Sequence, residues 1–125
     1  MEDVNIIEPT ILLNLKQLYR HGMSGRKLYD TTRGVWKVSR QRVSRAALAM
    51  AVANGKIMAI YSIEQWHPAN TTPYLSGRQD QSEPRYAKRF EFTGVKAPPE
   101  IQDRYLGQSV EHLLGGQNPV RYLNC

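Results

Sequence analysis

The dipeptide Asn54-Gly55, set between two apolar runs, constrains the fold of this chain more than any other feature. The two central residues of a type I′ turn need positive φ, and Asn followed by Gly adopts that conformation most readily. The flanking runs therefore predict a β-hairpin, with one strand over 48–53 and a second over 57–66. Strand alternation places a set of its residues on one face, namely Ile57, Ala59, Tyr61 and Ile63.

Four more segments have the composition of strands. They are 10–15, 35–39, 85–93 and 120–124. In the second of these, Trp36 and Val38 share one face; in the third, Phe90 and Phe92 do. Asn14 is a polar residue within an apolar run, and the pattern leaves open whether it is buried or lines a cleft.

Four segments are typical of helices. The last is a short one that begins at Ser109, contains Val110, Leu113 and Leu114, and is broken by Gly115-Gly116. Ser24 is an N-cap for a helix that continues to about Thr32, and Gly34 is expected to end it in the left-handed conformation. A second helix opens at Ser39 or Arg40. Its apolar positions at helical spacing are Val43, Ala46, Ala47 and Met50.

The third helix begins at Pro98-Pro99, because proline is favoured in a first helical turn. Ile101, Tyr105 and Leu106 are expected to face inward, and Gly107 ends the helix. The stretch from about 67 to 84 is rich in proline and polar residues, which predicts a long exposed loop. The whole order predicts an α+β domain over residues 1–125, with a mixed sheet of about six strands curled into a small barrel and short flanking helices.

Several function classes have no support in the sequence. It has no apolar run long enough to span a membrane and no signal-peptide pattern, so we expect a cytoplasmic protein without a membrane partner. The single cysteine, Cys125, allows no internal disulfide. The three histidines lack partners at metal-ligand spacing, and no phosphate-binding loop or nucleophile elbow occurs. We therefore predict no metal, no cofactor and no catalytic residue.

The positive charge is concentrated in one part of the chain. Of the net charge of +6, residues 16–45 contribute +8, with nine cations against Asp30 alone. The stretch RGVWKVSRQRVSR, residues 33–45, holds five cations and no acid. Clustered cations favour a phosphate-rich partner, because neutralising phosphates releases counterions. A basic face that serves only solubility is the alternative.

The cations expected to contact phosphates are Arg33, Lys37, Arg40, Arg42 and Arg45. Flat side chains stack on bases, and the candidates for that role are Trp36, Trp66, Tyr74 and Tyr86. For Trp36, the strand face it shares with Val38 favours core packing over stacking.

Two carboxamides close to the last strand, Gln117 and Asn118, carry donors and acceptors that match a base edge. Asn118 with Pro119 is also consistent with a turn into that strand.

Six segments together have a distinctive pattern: TILLNL, YDTTRGVWKVS, AVANGKIMAIYSIEQWHP, RFEFTG, DRYLGQSV and GGQNPVRYLN. In this pattern the chain resembles domains of the PUA-like group, which includes the PUA, ASCH and EVE domains. The resemblance implies a pseudo-barrel with a cleft that holds RNA or a nucleobase, sometimes a modified one. Some ASCH-type domains hydrolyse amides on modified nucleosides with a lysine, a threonine and a glutamate, and Lys37, Thr10 and Glu91 are the residues this chain offers.

Three functions stay open from the sequence. The first is a nucleic-acid or nucleotide binding module whose cleft is rimmed by Arg33, Trp36, Lys37, Trp66 and Gln117-Asn118. The second is a small protein that sequesters a free or cyclic nucleotide or blocks another protein. The third is the amide hydrolase. The partner is accordingly RNA, DNA or a small nucleotide, with a protein partner also open.

Overall fold

The computed structural model describes residues 3–74 and 88–125. The predicted loop residues 75–84, the start of the predicted strand at Arg85 and the aromatic candidate Tyr86 lie outside these ranges. The strands are β1 (Thr10–Asn14), β2 (Leu48–Ala53), β3 (Lys56–Pro68), β4 (Phe90–Lys96) and β5 (Val120–Leu123). The α-helices are α1 (Gly25–Arg33), α2 (Arg40–Val43) and α3 (Pro99–Tyr105). Short 3-10 helices cover Lys16–Leu18 and Glu111–Leu113, and the second lies within the short helical segment predicted after Ser109.

The five strands form one mixed sheet in the order β4-β3-β2-β1-β5. β1 and β2 pair in parallel, and every other pair is antiparallel. β1 and β2 are buried almost throughout, and hydrophobic clusters lie on both faces of the sheet. This burial explains why both strands have continuous apolar sequences. The α+β class is therefore confirmed, whereas the described strands do not close into a barrel.

The expected strand over 35–39 is not formed. Only Trp36 pairs in it, with Phe90 of β4. Gly34 is the residue that follows α1, and Ser39 already accepts the Arg42 amide as the N-cap of α2, so too few residues lie between the two helices for a ladder. The sheet consequently has five described strands rather than about six.

The hairpin at Asn54-Gly55 is confirmed, with φ of 54° and 75° at the two turn residues. The expected alternation along β3 is wrong at its start. Val52 pairs with Ile57 but Ala51 pairs with Ala59, so a bulge lies between them. The bulge turns Ile57 to the same side as Ile60, and the other expected residues pack on the opposite side.

The start of α1 follows the prediction, because the Ser24 hydroxyl accepts the Lys27 amide at 3.1 Å. Gly34 ends the helix, but in an extended conformation with φ of −175°, so the predicted left-handed geometry is wrong. A side chain is excluded there for another reason. A Cβ on Gly34 would lie 2.6 Å from the Tyr74 hydroxyl and 2.8 Å from Cβ of Glu91.

The second helix is shorter than expected. It covers Arg40–Val43, because the amides of Ala47 and Leu48 already donate to the Pro9 carbonyl, beside the β1–β2 pairing. Met50, assigned to the helix from its spacing, lies instead in β2.

The third helix forms where it was predicted, and Gly107 follows its end with φ of 82°. The predicted burial of Leu106 is wrong, because this residue is 46% exposed. Leu106 follows the last helical residue in an extended conformation, which carries its side chain off the buried face.

Residues of α1 and the segment after it cover the outer edge of β4. The Tyr29 hydroxyl accepts a hydrogen bond from the Gly94 amide and donates one to the Gly94 carbonyl. Arg33 Nε donates to the Phe92 carbonyl at 2.9 Å. Trp36 exchanges two backbone hydrogen bonds with Phe90, each 2.9 Å. An uncovered sheet edge would pair with other chains, so this cover protects the fold.

The same segment then crosses to the opposite edge of the sheet. The Ser39 amide donates to the Tyr122 hydroxyl on β5 at 2.8 Å, and Arg42 donates to the Cys125 carbonyl. Residues 34–42 therefore connect the β4 edge with the β5 edge, and they form one wall of the site described next.

Candidate functional site

The pairing of Trp36 with Phe90 fixes the positions of two cations. Lys37 follows Trp36 and Arg89 precedes Phe90, so this antiparallel bridge brings the two positions close together. Sequence reasoning missed Arg89, because its position follows from a bridge between residues 54 positions apart.

Lys37 and Arg89 both line a cleft of about 750 Å³ between residues 34–39 and the turn that enters β5. Its other wall is the segment 118–120, and Leu18, 55% exposed, adds apolar surface. None of the described residues that line this cleft is an Asp or a Glu. The electrostatic potential in the cleft therefore favours an anion.

The main chain of this wall also has groups available to a ligand. Within the described residues, the amides and carbonyls of Lys37 and Val38 have no hydrogen-bond partner. Because both residues line the cleft, these groups can donate to and accept from a bound molecule.

The turn at Gln117 and Asn118 is fixed by internal hydrogen bonds. Oδ1 of Asn118 accepts the Val120 amide at 3.0 Å, which is the turn-shaping role, while the residue also lines the cleft. The Gln117 carbonyl accepts Nζ of Lys16 at 2.8 Å, and its side chain is exposed. Asn14 is half-buried, and its amide donates to the Pro119 carbonyl at 2.8 Å, so the end of β1 supports this turn.

Trp36 belongs mainly to the core. It is 7% exposed, and its Nε1 donates to the Thr32 carbonyl at 2.6 Å. The residue also lines the cleft. The ring face is therefore packed rather than open for stacking.

Arg33, expected at the rim of the cleft, is instead buried, with 1% of its surface exposed. Its guanidinium donates to the carbonyls of Phe92 and Pro73 and to the Thr72 hydroxyl, and it lies 4.2 Å from the centre of the Tyr74 ring. These contacts occupy the guanidinium, so Arg33 is not among the residues that we propose to bind phosphate.

The partner of Arg33 is Glu91, which is fully buried at 3.9 Å from it. Its carboxylate accepts hydrogen bonds from the Asn70 and Thr72 amides and from the hydroxyls of Thr72 and Tyr74. Burial alone would raise the pKa of Glu91, but these hydrogen bonds outweigh it and hold the pKa below its ordinary value. Tyr74 therefore belongs to this hydrogen-bonded cluster. The cluster connects residues 70–74 with β4.

Trp66 lines a second cleft, of about 390 Å³, together with Arg40. Its ring centre lies 5.3 Å from that of Phe92, and its Nε1 is buried without a hydrogen-bond partner among the described residues. The Arg40 guanidinium lies 5.5 Å from the centre of the Phe90 ring, and the residue is exposed.

The two remaining candidate arginines differ in their surroundings. Arg42 donates twice to the Cys125 carbonyl, at 3.2 and 3.1 Å, and lies 4.1 Å from the centre of the Tyr122 ring. Arg45 is exposed. Arg42 therefore fastens α2 to β5, whereas Arg45 is the one more accessible to a partner.

The residues considered for amide hydrolysis do not form a common site. Thr10 is fully buried on β1 and donates to the Glu8 carbonyl, and β2 and β3 separate it from Glu91 on β4. Lys37 is exposed in the first cleft, while both oxygens of Glu91 are occupied.

The described ranges hold no group of three or more His, Cys, Asp and Glu residues that could bind a metal ion. No helix in those ranges has the length and apolar character needed to cross a membrane. The chain matches no protein-family model, no curated protein and no solved structure.

Proposed function

We propose that the cleft between residues 34–39 and 118–120 binds a nucleotide, and that the chain is a nucleic-acid binding module. The observation that carries this proposal is that Lys37 and Arg89 both line a cleft whose described lining has no carboxylate. An anion between the two cations would contact both of them through charge-assisted hydrogen bonds. Phosphate is the anion that a nucleic acid presents.

The size and chemistry of the cleft support a nucleotide over a small inorganic anion. A volume of about 750 Å³ is in the range of ligand pockets, which are about 300–1,000 Å³. Leu18, Val35 and Pro119 supply apolar surface for a base or sugar, and the free main-chain groups of Lys37 and Val38 supply hydrogen bonds for a base edge.

Three charged side chains extend the positive surface beyond the cleft. Arg40 and Arg45 are exposed on and just after α2, and Lys16 lies at the Gln117 carbonyl. Contacts of this kind hold a phosphate backbone without reading its sequence. They support a polymeric ligand, RNA or DNA, over a free nucleotide.

We propose that this site belongs to a PUA-like pseudo-barrel. Residues 34–42 connect the β4 edge with the β5 edge, and the cleft lies beside that connection. This arrangement supports a curled sheet with a cleft at its seam, which is what the resemblance implies.

The proposal is tested by titrating the tryptophan fluorescence with single-stranded RNA, single-stranded DNA, duplex DNA, and free and cyclic nucleotides at two salt concentrations. We expect quenching by a polymer that weakens at high salt. Quenching by a free nucleotide alone would favour the sequestering function. No response to any of these ligands, with no binding by calorimetry, would refute the proposal.

A further inference from the structure

The second cleft, lined by Trp66 and Arg40, lies directly beside the first. Ser39 lines the first cleft and Arg40 lines the second. Consecutive Cα atoms are about 3.8 Å apart, so only a short step of backbone separates the two. On the opposite side, Arg89 lines the first cleft and Phe90, the next residue, lies under the Arg40 guanidinium.

Trp66 gives the second cleft an unusual feature. Its Nε1 is buried and has no hydrogen-bond partner among the residues that the structure describes. A buried donor without an acceptor is unfavourable, and buried polar atoms are nearly always satisfied. A ligand that brings an acceptor to Nε1 would remove this penalty. The carbonyl oxygens and ring nitrogens of nucleobases are such acceptors.

The charges in the second cleft favour a base over a phosphate. Glu64 is the one carboxylate among its described lining residues, and it would repel a phosphate. Ser44 and Gln65 add polar groups, and Val43 and Ile63 add apolar surface. Arg40 lies at the border with the first cleft, where a phosphate that links two nucleotides would pass.

We propose that the two clefts are successive base subsites for one single-stranded nucleic acid, with Arg40 at the phosphate between them. This inference rests on the proposed function of the first cleft and specifies its ligand. The ligand is a single strand of at least two nucleotides, because a mononucleotide fills only one subsite and a duplex keeps its bases stacked and paired.

The test compares ligands of two lengths on the complete chain by calorimetry. The probes are the four nucleoside 5′-monophosphates and the matching 5′-phosphorylated dinucleotides pApA, pCpC, pGpG and pUpU. We expect the preferred dinucleotide to bind about tenfold or more tightly than its mononucleotide, an order-of-magnitude value from the stacking or hydrogen bonding of one more base.

Two variants locate the effect in the second cleft. Trp66→Phe removes the Nε1 donor and keeps a ring, and Ser44→Leu narrows the cleft from its exposed side. Both should weaken dinucleotide binding about fivefold, the size of one hydrogen bond, and leave mononucleotide binding unchanged. Lys56→Gln, at the far end of β3, is the matched control and should change neither.

The outcomes separate the two proposals. If a mononucleotide binds and its dinucleotide binds no more tightly, or if folded variants weaken both probes equally, the second subsite is wrong while the first cleft keeps its function. If neither probe nor a longer single strand binds, the proposed function fails and this inference fails with it.

Discussion

Lys37 and Arg89 flank the bridge between Trp36 and Phe90, and both residues line the same cleft. Two cations that line one cleft favour an anionic ligand there.

Lys37→Gln should weaken nucleic-acid binding and leave stability nearly unchanged. Lys37 is exposed, so we expect its replacement to change the free energy of unfolding by less than about 0.5 kcal/mol, the usual range for surface substitutions. Urea denaturation and binding isotherms measure the two effects. Lys56→Gln, at an exposed cation outside the cleft, is the control and should keep the wild-type affinity; wild-type affinity in the Lys37 variant would contradict the proposed site.

The buried pair of Arg33 and Glu91 should contribute strongly to stability. Glu91→Gln leaves the guanidinium without its countercharge, and we expect a loss of about 3–5 kcal/mol. The double variant Arg33→Met/Glu91→Leu should lose less than the sum of the single variants Arg33→Met and Glu91→Leu, because no buried charge remains. Denaturation of the wild type, these two single variants and the double variant completes the cycle, and additive losses would show that the two side chains do not interact.

The same pair predicts how stability depends on acid. The pKa of Glu91 is lower in the folded protein than in the unfolded chain, so its contribution is present above the unfolded pKa and is lost as pH falls through the folded pKa. Stability should therefore decline as the solution is acidified below about pH 4.3, the ordinary value for a glutamate. Glu91→Gln should make that decline shallower. An unchanged acid profile in the variant would mean that another carboxyl group causes it.

Tyr61 predicts the opposite behaviour at alkaline pH. Burial raises its pKa to about 12, because the phenolate is poorly solvated there, and hydrogen bonding with Thr32 offsets part of this effect. A raised folded pKa means that stability falls as pH rises from about 10 to 12, by roughly 2–3 kcal/mol. Tyr61→Phe should lose less stability over this range. Equal alkaline profiles for the variant and the wild type would exclude Tyr61 as the cause.

Arg40 and Arg42 should separate binding from stability, although they are two residues apart on α2. Arg40→Ala should weaken nucleic-acid binding with little effect on unfolding, because the side chain is exposed beside both clefts. Arg42→Ala should lower stability by about 1 kcal/mol through its lost bonds to Cys125 and its stacking on Tyr122. Thermal melts and binding isotherms of both variants test this. Equal effects on binding would show that both arginines contact the ligand.

Local signals in the sequence were sufficient for several elements. Asn54-Gly55 fixed the hairpin, Ser24 fixed the start of α1, and Pro98-Pro99 with Gly107 bounded α3. Each of these depends on the conformational preferences of a few adjacent residues.

The features that failed depend on residues far apart in the sequence. The burial of Arg33 requires Glu91, and the position of Arg89 requires the bridge to Trp36. The bulge beside Val52 places Ile57 on the face of the sheet opposite to the one expected. The sequence of β3 alone does not indicate this bulge. The charge cluster over 33–45 pointed to the basic surface, but not to which of its arginines are buried, structural or accessible.

The most direct test of the central claim is the salt dependence of binding in a Lys37→Ala/Arg89→Ala variant. A labelled ten-nucleotide single strand, as RNA and as DNA, is titrated by fluorescence anisotropy at several salt concentrations. Lys56→Ala/Lys96→Ala removes two exposed cations that do not line the first cleft and serves as the matched control.

The account predicts that the wild type binds a single strand and that its affinity falls steeply with salt. The Lys37/Arg89 variant should bind more weakly, with the slope of log K against log salt reduced by about 1.4, or 0.7 for each lost phosphate contact. The control should keep the wild-type slope. An unchanged slope in the Lys37/Arg89 variant, or no binding of any strand by the wild type, would contradict the account.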